Sequence, residues 1–225
     1  MFLSSAALVA SAAEIRILSA GAVEPGLHAF AQVIKRERGD DLKIQFNTTP
    51  QIVQRLAAGE AFDIVIAPSD AIAQAAKDSK VAADTRVMVG RVGAGVVVRS
   101  GAPMPDIASV DALKHSLLAA DSVVYNTASS GSYLDKLFDK MGILEQLKPK
   151  TTRYPTGAGV LEHVSKAYES KGVRMVGPLP GEVQNYTGYE AAMMTGTASP
   201  EEVKAILRQI ATTAGRAALA SGGVE

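Results

Sequence analysis

Hydroxyl, amide and glycine residues gather at four points in this 225-residue chain, each directly after a short apolar segment. The apolar segments are residues 15–18, 42–46, 64–66 and 123–125. Backbone N–H groups and hydroxyls at the start of a helix hold an anion without a metal or a base. The sequence therefore predicts anion binding at these candidate residues: Ser19, Gly21, Ala22, Thr48, Thr49, Ser69, Asn126, Ser129, Ser130, Gly131 and Ser132.

The elements around these residues alternate between strand and helix. Each polar point precedes a predicted helix, as where Leu27, Phe30 and Ile34 follow one another at helical spacing. Alternating strands and helices predict an α/β fold with a mainly parallel sheet covered on both faces. Ligands bind such sheets beyond the carboxyl ends of the strands, so the repetition indicates a binding cleft.

The four points do not carry equal weight. A tight turn explains residues 19–22 equally well, helix capping explains Thr48 and Thr49 equally well, and Ser69 reads more naturally as a cap after Pro68. Residues 126–132 favour binding, because hydroxyls and an amide cluster at a helix start without any charged residue among them. Gly131 there allows close approach of a ligand.

Two arginines flank the expected passage between lobes. The guanidinium of Arg91 or Arg99 suits two-point binding of a carboxylate, and a surface or hinge position is the alternative. A buried arginine in the cleft would favour a carboxylate ligand, whereas a cleft of hydroxyls and amides alone would favour an oxyanion. Arg91 is included among the candidate binding residues.

Composition excludes several other functions. Lys plus Arg and Asp plus Glu both total 23, and there is no Trp and no basic run interleaved with aromatics, which argues against nucleic acid. The chain has no Cys, and its three histidines fall in separate predicted helices without metal-ligand spacing, so no metal site is expected. Neither a complete dinucleotide-binding loop nor a nucleophile motif occurs, so we expect no cofactor and no hydrolytic catalysis.

The chain divides into an amino-terminal segment and two lobes. Residues 1–13 are apolar or small and end in Ala-Ser-Ala, as a secretory signal peptide does near its cleavage site, although a positive start is lacking and a frayed helical tail is the alternative. We therefore expect export to the periplasm. Lobe 1 is predicted to comprise residues 14–90 and 188–225, and lobe 2 residues 91–187. Two connections between lobes predict a hinged clamshell.

The chain resembles the molybdate-type periplasmic solute-binding proteins of bacterial ABC importers, which belong to the type II periplasmic-binding-protein superfamily. The matching phrases are ILSAGAVEPGL, FDIVIAPSD, NTASSGSYLDKLFDKMGILEQLKPK and VGPLPGEVQNYT. The resemblance implies a two-lobe clamshell with two crossovers that holds a small oxyanion by hydroxyls and backbone amides. It implies ligand contacts at Ser19, at Thr48 or Thr49, at the Ser69 loop, and at Asn126 with residues 129–132. It also implies a monomer that delivers its anion to a membrane permease.

Two departures from that family stand out. The second loop reads Asn-Thr-Thr-Pro where molybdate binders usually show a Gly-Ser-Ser-type run, which weakens the expectation of a tetrahedral oxyanion. Between Val164 and Gly172 the chain lacks the usual Gly-acidic turn and buried strand, a piece that often carries a tyrosine ligand. A true deletion there predicts a weakened sheet in lobe 2; a segment lost from the sequence is the alternative.

The clamshell is also similar to aconitate isomerase, which keeps an enzyme hypothesis open. Moving a proton on a bound polycarboxylate requires a base, and the candidates are Tyr125, Tyr133, Tyr154 or a histidine that folds inward. We expect a binding protein for ABC import, with a periplasmic polycarboxylate isomerase as the alternative. A sensory binding module is a third reading.

Overall fold

The computed structural model describes residues 14–165 and 172–225. The predicted signal-peptide residues 1–13 and residues 166–171 of the shortened segment lie outside the described residues. Within the described ranges the strands are β1 Glu14–Ala20, β2 Asp41–Asn47, β3 Ile64–Pro68, β4 Val87–Gly93, β5 Gly95–Arg99, β6 Val123–Asn126, β7 Thr151–Tyr154, β8 Val173–Pro178 and β9 Tyr186–Met193. The α-helices there are α1 Glu24–Arg38, α2 Thr49–Ala57, α3 Ser69–Lys77, α4 Val110–Ala119, α5 Ser129–Lys140, α6 Leu144–Leu147, α7 Gly157–Ser165, α8 Pro200–Ile210 and α9 Thr213–Ser221.

Lobe 1 is built on a five-stranded sheet in the order β2-β1-β3-β9-β4. β1 runs parallel to β2 and β3, while β9 runs antiparallel to β3 and β4. The register places Ala20 beside Asn47 and Ser19 beside Ile66. The carboxyl ends of the first three strands therefore meet at one edge, as the repeated strand-loop-helix pattern predicted.

The core of lobe 1 explains which positions of β1 are apolar. Ile15, Ile17 and Leu18 are all essentially inaccessible, because helices cover both faces of the sheet, whereas the charged Glu14 and Arg16 are exposed. From α1, the residues predicted from helical spacing enter the same cluster, as do Val203, Ile206, Leu207 and Ile210 of α8. The α8 helix therefore packs on the first lobe.

Lobe 2 has its own core and a divided sheet. Its buried cluster includes Leu113, Tyr125, Phe138 and Ile143 and shares no buried residue with the first. β5 pairs antiparallel with β8, β6 pairs parallel with β7, and the described residues form no ladder between these two pairs. α7 contacts all four strands. The predicted α/β class is confirmed, and lobe 2 carries two small sheets where one mainly parallel sheet was expected.

The two crossovers are fastened to each other at Ala94. The Gln184 side chain donates from Nε2 to the Ala94 carbonyl, and its Oε1 accepts the Ala94 N–H, both at 2.9 Å. The Ala94 carbonyl also accepts the Leu179 N–H at 3.2 Å. The Ala94 N–H also donates to the Asn185 carbonyl at 3.2 Å. The carboxamide therefore adds to the backbone bonds that join the outgoing segment β4–β5 to the returning segment β8–β9.

The sequence predicts one helix over residues 200–214, with Ser199 as its N-cap and Glu202 three residues on in a capping-box spacing. The structure has two helices there: α8 ends at Ile210, and α9 begins anew because the Thr212 hydroxyl accepts the Gly215 N–H at 3.0 Å. The capping box is wrong, since Ser199 has φ −122° and ψ 57°, unlike the extended backbone of a capping residue, and makes no side-chain cap.

Three further boundaries differ from those that the sequence predicts, which are a strand over residues 183–187, a helix from residue 106 and a helix from residue 132. The strand begins at Tyr186 and continues to Met193, and the first of these helices begins at Val110. The Asp106 carboxylate accepts the Ala108 N–H at 2.9 Å, a turn that delays this helix. The second helix begins at Ser129, so the serines lie inside its first turn. Among the described residues, no helix combines the length and apolar character needed to cross a membrane.

Replacing Gln184 by Ala tests the fastening. The variant should lose about 1–2 kcal/mol of unfolding free energy and exchange the Ala94 amide proton faster, because Ala94 loses both bonds to the carboxamide. Urea unfolding and amide hydrogen exchange measure these effects. The matched control is Gln146→Ala, which removes an exposed carboxamide with one 3.4 Å bond to Gly142. Equal effects in both variants would contradict the assignment.

Candidate functional site

The loops of lobe 1 lie together at the edge where β1, β2 and β3 end. Gly21 and Ala22 are exposed directly after β1. Asn47 lies beside Ala20, which places the second loop next to the first. Ser69 begins α3, and its Oγ lies 3.4 Å from the position that a Cβ on Gly188 would take. Three of the predicted segments therefore follow neighbouring strands at one edge of the sheet, and the Ser69 segment lies next to β9, the strand that returns from lobe 2.

Ser19 lies beneath this surface. It is fully buried between Phe46 and Ile66 of the neighbouring strands, and its hydroxyl donates to the Ala20 carbonyl at 3.2 Å. The hydroxyl is satisfied within the sheet, so its part in the loop is to support the turn at Gly21.

The second loop uses most of its polar groups internally. The Thr48 N–H and hydroxyl both donate to Gln51 Oε1, at 2.9 and 3.0 Å, and form one half of a capping box. Arg55 Nη1 donates to Asn47 Oδ1 at 2.7 Å. Pro50 has no N–H. Of the two threonines predicted to bind ligand, only Thr49 keeps its hydroxyl available.

In the segment 126–132, here named the serine loop, an asparagine caps the helix and the serine hydroxyls take no part in capping. Asn126 Oδ1 accepts the N–H groups of Ala128 at 3.0 Å and Gly131 at 3.2 Å, so the asparagine caps α5. Gly131 is required here, since a Cβ would lie 1.7 Å from the Asn126 carbonyl oxygen. Because the capping is done by Asn126, the serine side chains remain free.

Several hydroxyls in the predicted segments take no part in hydrogen bonds within the protein. At α4 and α9 the Ser109 and Thr212 hydroxyls cap the helix. Within the part of the chain that the structure describes, nothing hydrogen-bonds to the side chains of Thr49, Ser69, Ser129, Ser130 and Ser132. The described residues also contain no buried polar side-chain atom without a partner, so these free hydroxyls are open to solvent.

Helix-end electrostatics distinguish the loops. The first turns of α1 and α3 carry Glu24 and Asp70, whereas those of α2 and α5 carry no acidic residue. The partial positive charge at a helix start attracts an anion, and a carboxylate in the same turn opposes that attraction. The starts of α2 and α5, one in each lobe, are therefore the better places for an anion.

Neither candidate arginine is buried. Arg91 is exposed, stacks 4.2 Å above the Tyr186 ring, and pairs with Glu225 through Nη2 to Oε2 at 3.2 Å. The backbones of the same two residues exchange N–H···O bonds of 2.8 and 2.9 Å. Arg99 is exposed at the end of β5. Sequence reasoning had no signal for the pairing of Arg91 with a residue 134 positions away.

The candidate bases are already hydrogen-bonded. The Tyr125 hydroxyl donates to Asp135 Oδ1 at 2.8 Å, and burial followed by this bond raises the pKa of Tyr125 to about 12. The Tyr133 hydroxyl donates to the Val183 carbonyl at 2.8 Å. Tyr154 packs along Gly159 of α7, and its hydroxyl lies 2.9 Å from His163 Nδ1. Tyr154–His163 and Tyr125–Asp135 are therefore both pairs of titratable groups, whereas Tyr133 is bonded to a backbone carbonyl.

Two surface concavities lie beside the loops. One, of about 470 Å³, is lined by Tyr125, Asp135, Leu144, Lys148, Thr151 and Arg153. Arg153 Nη1 pairs there with Asp135 Oδ2 at 3.0 Å, and its charge is neutralised. The other, of about 400 Å³, is lined by Asn47, Gln51, Gln54, Arg55, Ala58 and Glu60. Its cation, Arg55, is held by Glu60 Oε2 at 2.6 Å. In each concavity, the arginine is therefore already paired with a carboxylate of the protein.

Gly131→Ala tests the geometry of the serine loop. The added methyl group would overlap the Asn126 carbonyl, so the variant should lose about 1–3 kcal/mol of unfolding free energy by overpacking. Gly157→Ala, at the start of α7 with nothing within 4 Å of the new Cβ, serves as control. Thermal unfolding of both proteins compares them. Equal stability of the two variants would refute the predicted crowding.

The raised pKa of Tyr125 predicts a stability change at alkaline pH. Its folded pKa exceeds the unfolded value near 10, so its contribution is complete below pH 10 and is lost as pH rises through 12. The difference in unfolding free energy between wild type and Tyr125→Phe should therefore shrink from pH 9 to pH 11. Urea titrations at the two pH values measure it. A constant difference would rule out the shift.

Comparison with known proteins identifies the family and the fold to which this chain is similar. A family model described as bacterial extracellular solute-binding protein matches residues 15–225. Aconitate isomerase from a Pseudomonas species is 30% identical, over 94% of this chain and 87% of that protein. The periplasmic molybdate-binding protein of Azotobacter vinelandii aligns with a TM-score of 0.75 at 11% identity, covering 94% of this chain and 98% of that one. A sulfate-binding protein of Mycobacterium tuberculosis aligns with a TM-score of 0.67 at 17% identity, covering 94% and 86%.

The structural likenesses establish the fold, and they confirm the predicted periplasmic-binding-protein clamshell and its resemblance to molybdate-type proteins. The family match extends over nearly the entire chain after residue 14. This protein therefore belongs to the bacterial extracellular solute-binding protein family.

Proposed function

We propose that this protein works in the periplasm as a monomer, captures a small anion between its two lobes and delivers it to the membrane permease of an ABC importer. The observation that carries the proposal is the set of unpaired hydroxyls on Ser129, Ser130 and Ser132 at an acid-free helix start. Thr49 and Ser69 supply matching free hydroxyls in lobe 1. Membership of the solute-binding family supports the same role.

One observation on the donors favours an oxyanion as the ligand, and another favours a carboxylate. Arg91 and Arg99 are exposed, which leaves hydroxyls and amides as donors, a set that suits an oxyanion. In the second loop, however, Gln51 occupies both donors of Thr48, and an oxyanion stripped of water needs many donors. The 30% identity to aconitate isomerase also favours a carboxylate, whereas the likeness to the molybdate-binding protein concerns the fold alone. We therefore propose a small polycarboxylate, with carboxylates divided between the serine loop and lobe 1.

A thermal-shift screen tests capture and ligand class together. The panel is molybdate, tungstate, sulfate, phosphate, citrate, cis-aconitate and trans-aconitate. A ligand at about 100 times its Kd adds about 2.7 kcal/mol, which raises Tm by several degrees in a chain of this size. We expect a shift with citrate or an aconitate. A shift with molybdate or tungstate alone would make the ligand an oxyanion, and no shift with any anion would refute capture of these anion classes.

A variant pair locates the binding. Ser130→Ala should weaken anion binding about 10-fold to 100-fold, because one direct hydrogen bond to a charged group is lost. Ser122→Ala, which removes an exposed serine hydroxyl before β6, should leave Kd unchanged. Isothermal titration with the best ligand of the panel measures both. Equal Kd values would exclude Ser130 from the site.

The second candidate function is isomerisation of a polycarboxylate, favoured by the identity to aconitate isomerase. The reaction moves one proton from a methylene carbon to a vinylic carbon as the double bond shifts, so it needs a base and an acid. Tyr154 and His163, which are hydrogen-bonded to each other at 2.9 Å, are the pair that we propose for these roles, because an imidazole can act as base and a phenol as acid. Proton NMR of cis-aconitate with the protein separates the candidates: conversion to the trans isomer supports catalysis, and binding without conversion supports capture alone.

A further inference from the structure

We propose that Tyr133 is a positioning residue that couples the serine loop to the hinge, an inference that rests on the proposed capture of an anion by that loop. Tyr133 directly follows Ser132 in α5. Its hydroxyl donates to the Val183 carbonyl at 2.8 Å in a partly buried contact. Val183 belongs to the segment that returns to lobe 1, 50 residues away in sequence. The free serine hydroxyls thus lie one to four residues from a tether to the crossover.

The tether continues to the second crossover. Val183 ends a short 3₁₀ helix, Gly181–Val183, and is followed by Gln184. The Gln184 carboxamide holds the N–H and the carbonyl of Ala94. Tyr133, Val183, Gln184 and Ala94 therefore form a continuous path of hydrogen bonds and peptide units from the helix that carries the serines to both connections between the lobes.

The divided sheet of lobe 2 makes this path important. β5 leaves the first crossover but forms no ladder with β6 among the described strands, so backbone pairing does not fix the serine loop relative to the hinge. Side-chain packing, α7 and the Tyr133 tether provide that connection. A packed contact allows small sliding, whereas a hydrogen bond to a partly buried carbonyl fixes distance and direction. Tyr133 therefore sets where the serine hydroxyls stand when the lobes close.

The test is Tyr133→Phe, which removes one oxygen and keeps the ring. The matched control is Tyr125→Phe, which removes a hydroxyl with a bond of the same 2.8 Å length that ends on Asp135 of α5 itself. Hydrogen exchange of the ligand-free proteins is measured at the Ala94 amide. Dissociation and association rates are measured by stopped flow with the anion that wild type binds in the screen.

We expect Tyr133→Phe to exchange Ala94 about fivefold faster and to release the anion about fivefold faster, the factor that corresponds to one net hydrogen bond. Its association rate and its Tm should stay close to those of Tyr125→Phe. Equal exchange and release rates in the two variants would overturn the proposal. If wild type binds none of the anions, the proposed function fails, and the exchange rate at Ala94 in the ligand-free proteins still decides whether Tyr133 is coupled to the hinge.

Discussion

The junction at Ala94, where the two crossovers meet, links the two lobes. The chain crosses between its cores twice, and the cores share no buried residue, so each lobe is stabilised separately. The crossovers are joined by the β4–β9 and β5–β8 ladders on either side of Ala94, by backbone bonds of Ala94 with Leu179 and Asn185, and by the Gln184 carboxamide, which holds both the N–H and the carbonyl of this one residue. A junction of this kind permits rotation of the flanking segments while preventing their separation, which is what closure around a ligand requires.

The candidate site follows from a division of labour among polar groups. Helix starts leave N–H groups unsatisfied, and whichever acceptor satisfies them is no longer available for a ligand. At α2, Thr48 donates both its N–H and its hydroxyl to Gln51, so neither of these donors is available to a ligand. At α5 an asparagine placed before the helix accepts two N–H groups, and three serine hydroxyls stay free in a turn without acidic residues. The two lobes therefore offer unequal halves of a site, with lobe 2 the richer in donors.

The strand-loop-helix pattern was sufficient to predict the α/β class and the position of every polar loop at a strand end. Local chemistry carries that information, because apolar runs and small polar residues are adjacent in sequence. The allocation of hydrogen bonds was not predictable. Ser199 and Thr48 both precede a Glu or Gln by three residues, yet only Thr48 has the extended backbone that a cap needs. The hydrogen-bond partners of Arg91 and Ala94 lie 134 and 90 residues away in sequence, so patterns among neighbouring residues could not predict them.

A true deletion after Val164 predicts a weakened sheet in lobe 2, and the described strands there form two separate pairs. Since ladder hydrogen bonds fix neighbouring strands in register, their absence between β5 and β6 transfers the placement of the serine loop to α7, the small core and Tyr133. A loop placed by side chains depends on each of those contacts, so the loss of one of them would shift the hydroxyls that the proposed ligand meets.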